Sequence, residues 1–287
     1  MLKGQKGIKR KGNISVKAVI PAAGLGTRFQ PLTLAVPKEL LPVNRKPLIQ
    51  WALEEAIEAG IQEIGIVIRK GKEVIRDYFE ALMSSSELLR EPLGLKLSQA
   101  NLHFVIQKEP LGLGDAIYEA ANFVNDGPFV MIIPDQFVFS GVSATRQLLD
   151  VAGGDVEAVW SSVVSVSNQD VEFFPGARRL LLTNRKGNCW KVTGLTEHTG
   201  HGNGDLLLGF GRTFFPTGTM EFFSNRFLNP ETGEVDLLLS FEALIKKYQN
   251  YAVLLEGKAM DFGTWSSYEH FSQKLIMANR EGTGHAR

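Results

Sequence analysis

The chain has 287 residues, 44% of them hydrophobic, which is enough to bury a sizeable core as one large domain or two small ones. Lys plus Arg and Asp plus Glu both number 31, so net charge exerts no general pull toward nucleic acid or a membrane surface. The single Cys189 excludes an internal disulfide framework, and no apolar run approaches the roughly 20 residues that span a bilayer. A soluble, cytoplasmic protein is expected.

Residues 1–14 are basic but lack the apolar stretch of a secretory signal, so they read as a solvated, disordered tail, and residues 280–287 as a second tail. Between them, Val16–Pro21 reads as a short strand. Pro47–Gly60 reads as a helix, with Pro in its first turn, Gly at its end, and Leu48, Trp51, Ala52, Ala56 and Ile57 at helical spacing. The alternation continues with strand Glu63–Ile68, helix Lys72–Met83, strand Leu102–Gln107, a helix over Asp115–Val124 and strand Pro128–Asp135. Strands alternating with crossover helices imply a mostly parallel sheet, with ligands at the carboxyl ends of its strands. The second half is richer in strands, around Glu157–Val166, Arg178–Thr183, Cys189–Leu195 and Asp205–Phe215, and helical spacing returns at Asp236–Tyr248 and Trp265–Ala278. The expectation is one α/β domain over residues 15–279, a nucleotide half at about 15–140 and a sugar half at about 150–265. The later strands would extend the sheet and shape the pocket.

Between the first strand and the first helix lies IPAAGLGTRFQPLTLAVPKELLP, Ile20 to Pro42. A dinucleotide-binding turn would need a third glycine where Phe29 stands, and a helix starting at once, which Pro31 and Pro37 oppose. Arg69 and Lys70 after the second strand are the one point in favour of that reading. A phosphate loop ending in Gly-Lys-Ser/Thr is absent. A plain tight turn leaves unexplained why Arg28 and Lys38 sit in a loop stiffened by prolines. Prolines lower the entropy of ordering a loop and favour pre-organised cations.

This stretch, with G-x-G-T-R, P-x-T, P-K and P in order, resembles the signature of the sugar-1-phosphate nucleotidylyltransferases. The run from Pro37 to Ile64 most resembles bacterial UTP–glucose-1-phosphate uridylyltransferases. The resemblance implies a Rossmann-like three-layer α/β/α fold with a mostly parallel mixed central sheet. It implies nucleotide contacts at Ala22, Ala23, Gly24 and Gly26, whose backbone N–H groups suit close approach to phosphate. It implies that Arg28 and Lys38 are catalytic, stabilising the pyrophosphate leaving group. IQKEPLGLGDA, Ile106–Ala116, resembles the second nucleotide loop of the family. There Gln107 would offer a donor and an acceptor to the imide edge of uracil or thymine, and Gly112 would lie against the base.

By the same resemblance Asp135 in IIPDQF and Asp261 in AMDFGTW would hold Mg²⁺, which needs few protein ligands because it keeps several waters. On the sugar side the chain departs from the family. Its Glu-Lys-Pro motif is replaced by Glu197, His198 and Thr199. Glu197, His198 and Gly211 are the sugar-phosphate candidates. A neutral His198 would need the bound dianion to raise its pKa, and Lys191 or Arg212 are the rival cations.

The implied activity is Mg²⁺-dependent uridylyl transfer from UTP to a sugar 1-phosphate, glucose 1-phosphate foremost, in a homo-oligomer. A weakly active or regulatory nucleotide-binding paralogue stays open, as does a transferase for dTTP or for another sugar.

Overall fold

The computed structural model describes residues 15–85, 97–196, 205–226, 228–229, 233–235 and 237–280. The chain begins with strand β1 (Lys17–Pro21), followed by three single 3-10 turns at Thr27–Phe29, Leu32–Leu34 and Lys38–Leu40. A minimal hairpin of β2 (Pro42–Val43) and β3 (Lys46–Pro47) then leads into α1 (Leu48–Glu58). Next come β4 (Glu63–Arg69), α2 (Val74–Ser84), β5 (Asn101–Gln107), α3 (Leu113–Glu119) and α4 (Ala121–Val124). After them lie β6 (Phe129–Ile132), β7 (Gln136–Phe139), α5 (Ala144–Ala152) and β8 (Val159–Val166). The second half adds β9 (Arg179–Lys186), β10 (Cys189–Thr196), β11 (Leu206–Phe215), α6 (Met220–Ser224) and α7 (Leu237–Lys247). It closes with β12 (Asn250–Leu254), β13 (Lys258–Asp261) and α8 (Trp265–Arg280).

Nine strands form one sheet in the order β5-β4-β1-β6-β11-β8-β12-β10-β9. The four strands of the first half run parallel, as crossover helices require. Antiparallel pairing enters with β11, which sits between β6 and β8. The later strands therefore extend the same sheet. Strand order reverses at β1, whose neighbours β4 and β6 were reached by crossovers in opposite directions. The carboxyl ends of β1 and β6 consequently flank a crevice.

The sequence pattern explains the burial. Ala18, Val19 and Ile20 of β1 and Ile64, Ile66, Val67 and Ile68 of β4 are fully buried, as expected of strands covered on both faces. One core cluster, around Ile20, Leu48, Leu53, Ile66 and Phe79, lies under α1 and α2. A second, around Val19, Ile117, Phe129, Phe215 and Phe223, lies under α3, α6 and α7 on the opposite face.

Several elements were not anticipated. A separate two-stranded ladder pairs β7 with β13 in antiparallel register, Asp261 opposite Gln136. Helix α5 packs against α1 and β11. Among the described residues no helix is long and apolar enough to cross a membrane.

Candidate active site

Strand β1 ends at Pro21, and the chain passes into the glycine loop at the edge of a cleft of about 400 Å³. Ala23, Gly24, Gly26, Arg28, Lys38, Gln107, Gly112, Asp135 and Asp261 all line it. Among the described residues no acceptor meets the N–H groups of Ala23, Gly24, Leu25 and Gly26, so they are free to receive an anion. A Cβ on Gly24 would meet no other protein atom within 4 Å, so internal packing does not demand glycine there. Gly26 is different: its φ of 68° is left-handed, and a Cβ would lie 3.0 Å from Thr33 Cγ2. Ala22 stands behind the cleft rather than in it. Its side chain is fully buried, its N–H donates to Val67 O at 2.7 Å, and its carbonyl accepts from Lys72.

Phe29, the residue that spoils a dinucleotide fingerprint, is fully buried against Trp265 and Tyr268 of α8, with ring centroids 5.1 and 6.2 Å away. That packing moors the loop beside Arg28 to the far end of the chain. A further anchor is Lys72, which donates to Ala22 O at 2.9 Å and to Glu39 at 2.6 Å.

The carboxylates meet because of the β7–β13 ladder. Phe262 N donates to Asp135 O at 2.7 Å, which sets Asp135 and Asp261 side by side. A Cβ on Gly263 would lie 2.8 Å from Asp261 Oδ1, 3.5 Å from Asp135 Oδ2 and 3.7 Å from Arg28 Nη1. These groups therefore surround one small space. Lys38 Nζ bonds Asp135 Oδ2 at 2.7 Å. Burial alone would raise the Asp135 pKa, but the Lys38 charge outweighs it and the carboxyl is held below its ordinary range. Asp261 has no such cation on it. Burial and the charge of Asp135 push its pKa up to about 7, against the hydrogen bonds from Gln136 Nε2 and Gly263 N.

Two adjacent buried carboxylates that repel each other, open to a cleft, are a donor set suited to a hard divalent cation. Among the described residues no cluster of three or more His, Cys, Asp or Glu forms a closed cage. Mg²⁺ needs none, because water and substrate phosphate complete its shell.

Gln107 corrects one expectation. Its amide nitrogen donates to Asp115 Oδ2 at 2.8 Å and to Gly112 O at 3.1 Å. Both N–H bonds are engaged, so the side chain presents an acceptor to the cleft, not a donor and acceptor together. Gly112 has φ 92°, and a Cβ there would lie 2.9 Å from Glu234 Cβ.

The sugar side holds further differences. Glu197 and His198 lie outside the described residues. Gly211 lines a smaller pocket that adjoins the cleft at Ile133, Gln136 and Gly176, but its N–H is engaged by Gln136 Oε1 at 2.7 Å. A Cβ on Gly211 would fall 2.5 Å from Ile133 Cβ, so close packing demands this glycine. Arg212 is not a free cation. It is fully buried, forms a two-pronged pair with Glu55 at 2.9 and 2.7 Å, and donates to Ile133 O and Gln136 O at 2.9 and 2.6 Å. Those carbonyls bracket Asp135, so Arg212 pins the turn that carries it. Lys191 sits on β10, opposite Tyr251 of β12 and Thr183 of β9, and lines neither the cleft nor the pocket that adjoins it.

Sequence comparison decides what this cleft belongs to. The profile of the family described as Nucleotidyl transferase matches residues 17–277. The chain belongs to the nucleotidyl transferase family. Within that family it is 32% identical over 274 residues to the UTP--glucose-1-phosphate uridylyltransferase of Bacillus subtilis, covering 92% of each chain. It is 34% identical over 255 residues to the YngB enzyme of the same name and organism, covering 86% of this chain and 84% of that one. The fold of this nucleotidyl transferase is shared with a solved apo UDP-glucose pyrophosphorylase. The TM-score is 0.79 at 24% identity, covering 93% and 100% of the two chains. It also matches a UTP-bound UGPase from Acinetobacter baumannii, with a TM-score of 0.74 at 25% identity and coverage of 96% and 100%.

Proposed function

We propose that this nucleotidyl transferase moves a uridylyl group from UTP to a sugar 1-phosphate, glucose 1-phosphate first, releasing pyrophosphate and a UDP-sugar. The observation that carries the reading is the convergence of Arg28, Lys38, Asp135 and Asp261 at one end of a cleft. Gln107, with its free acceptor, lines the same cleft. The names of the B. subtilis relatives and the UTP bound to the A. baumannii enzyme support the choice of nucleotide and sugar.

In this reading a phosphate oxygen of the sugar 1-phosphate forms a bond to the α-phosphorus of UTP. The bond from that phosphorus to the β-phosphate oxygen breaks, and its electron pair leaves with pyrophosphate. The free N–H groups of Ala23, Gly24 and Gly26 receive phosphate oxygens, and Arg28 and Lys38 neutralise the departing pyrophosphate. Asp135 and Asp261 would hold Mg²⁺, which supplies charge neutralisation between the two reacting phosphates. Glu197 and His198 would face the sugar phosphate, with Gly211 shaping the wall beneath it. The enzyme would work in the cytoplasm as a homo-oligomer.

The test is pyrophosphate release over the four NTPs, with a panel of sugar 1-phosphates, with and without Mg²⁺. The expected result is Mg²⁺-dependent release with UTP and glucose 1-phosphate. Tight UTP binding with no release from any pair would overturn the catalytic reading.

A further inference from the structure

Asp115 is fully buried at the start of α3, and its carboxylate is held from two sides. One oxygen accepts from the Gln107 amide at 2.8 Å, and the other is bonded by the guanidinium of Arg226. Arg226 comes from the turn after α6, with backbone φ at +43°, a conformation non-glycine residues rarely adopt. Its guanidinium lies 5.1 Å from the Tyr118 ring and 3.6 Å from Glu119. An element of the second half thus reaches back to a carboxylate beneath the second nucleotide loop.

We propose that Asp115, oriented by Arg226, is a positioning residue that fixes which end of the Gln107 amide meets the base. This makes the site select a pyrimidine carrying a ring N–H. The inference rests on UTP being the nucleotide. A carboxylate and a carbonyl oxygen are both acceptors, so Asp115 and Gly112 O together draw the amide nitrogen inward and leave Oε1 facing the cleft. Among the described residues nothing donates to that oxygen. Uracil offers N3–H to it. Cytosine carries an acceptor at the same ring position, and would have to shift along its own edge, out of the register set by the triphosphate contacts, to offer its amine.

Replacing Asp115 by Asn inverts this. With its oxygen kept on Arg226, the new amide presents N–H to Gln107 and turns that side chain around, against the pull of Gly112 O. The preference for uracil then falls. A merely structural role would weaken all nucleotides alike.

The experiment is calorimetric binding of UTP and of CTP, with Mg²⁺, to the full chain and to Asp115→Asn, Gln107→Met and the double variant. The wild type should favour UTP, and Asp115→Asn should lower the UTP-to-CTP affinity ratio about tenfold or more. The double variant should match Gln107→Met, because Asp115 acts through that amide. An unchanged ratio in Asp115→Asn, both nucleotides weakening together, would overturn the positioning role and leave the UTP reading standing. A wild type without preference for UTP would overturn both. Should Asp115→Asn not fold, Arg226→Met takes its place. It frees the carboxylate to turn and should lower the ratio in the same direction, an unchanged ratio again overturning the role.

Discussion

Lys72 and Glu39 face each other at 2.6 Å in the interior, their side chains 4% and 1% exposed, and the same ammonium donates to the carbonyl of Ala22 at 2.9 Å. One lysine from the turn before α2 thereby ties the base of the glycine loop to the residue next to Lys38. A buried pair of this kind adds little net stability, but breaking it leaves a charge unpaired and costs about 3–5 kcal/mol. Lys72→Met should lower the melting temperature steeply, and Lys72→Met with Glu39→Gln should recover much of the loss. Thermal unfolding of the three proteins checks this, with no recovery in the double variant counting against the pairing.

The carboxylate pair sets a pH dependence. Asp261 has a folded pKa of about 7, above the roughly 3.9 of an unfolded aspartate. A group whose folded pKa is raised contributes stability that is fully present below the unfolded value and is lost as pH rises through the folded one. Without divalent cation, the melting temperature should therefore fall between about pH 4 and pH 7. Mg²⁺ should stabilise more at pH 8 than at pH 5. Asp261→Asn should raise the metal-free melting temperature at pH 8 and abolish most of the Mg²⁺ response. Equal Mg²⁺ shifts in the two proteins would remove Asp261 from the metal site.

Arg28 and Lys38 are expected to act in the transition state. Loss of one charge-assisted contact to the leaving group costs about 3 kcal/mol, roughly a hundredfold in rate. Arg28→Ala and Lys38→Ala should each lose about that much in kcat. Lys38→Ala should also loosen Asp135, its partner at 2.7 Å, and so weaken the response to Mg²⁺, whereas Arg28→Ala should not. Steady-state kinetics at graded Mg²⁺ separates the two.

Arg212 and Glu55 make the opposite kind of prediction. Burial would raise the Glu55 pKa, yet the Arg212 charge and the Thr145 hydrogen bonds hold it below its ordinary value. Arg212→Met should destabilise by about 3–5 kcal/mol. It should lower kcat through the turn carrying Asp135, without raising KM for sugar phosphate more than KM for UTP. A selective rise in the sugar-phosphate KM would return Arg212 to substrate binding.

Much of this was legible from the chain alone. The strand-helix alternation from Val16 to Asp135 has strong periodicity, so β1, β4, β5 and β6 and the helices between them fall close to their expected bounds. Arg28, Lys38, Gln107, Asp135 and Asp261 were readable because long local motifs carry them, and all five line one cleft. Long-range partners were not legible. No local signal says that Lys72 holds Ala22, that Arg226 holds Asp115, or that Arg212 is neutralised by Glu55, residues 157 apart in the chain. Strands β7 and β12 were missed although β6 and β1, runs of the same lengths, were found. Strand β7 follows β6 after three residues and β12 follows α7 after two, so neither has a clear boundary in the sequence. Glu234 and Gly263 also line the cleft, and Gly263 stands two residues past Asp261 within the same AMDFGTW motif.

The ladder between β7 and β13 joins residues that the chain delivers at widely separate times. Asp135 belongs to the half that is synthesised first, with Lys38 already close enough to neutralise it. Asp261 arrives only when Lys258–Asp261 docks onto Gln136–Phe139, and α8 follows to press on Phe29. A partly made or clipped chain ending before residue 258 would carry the cations and the glycine loop but one acidic ligand in place of two. In the proposed reading, catalytic competence waits until residues 258–280 have closed over the glycine loop.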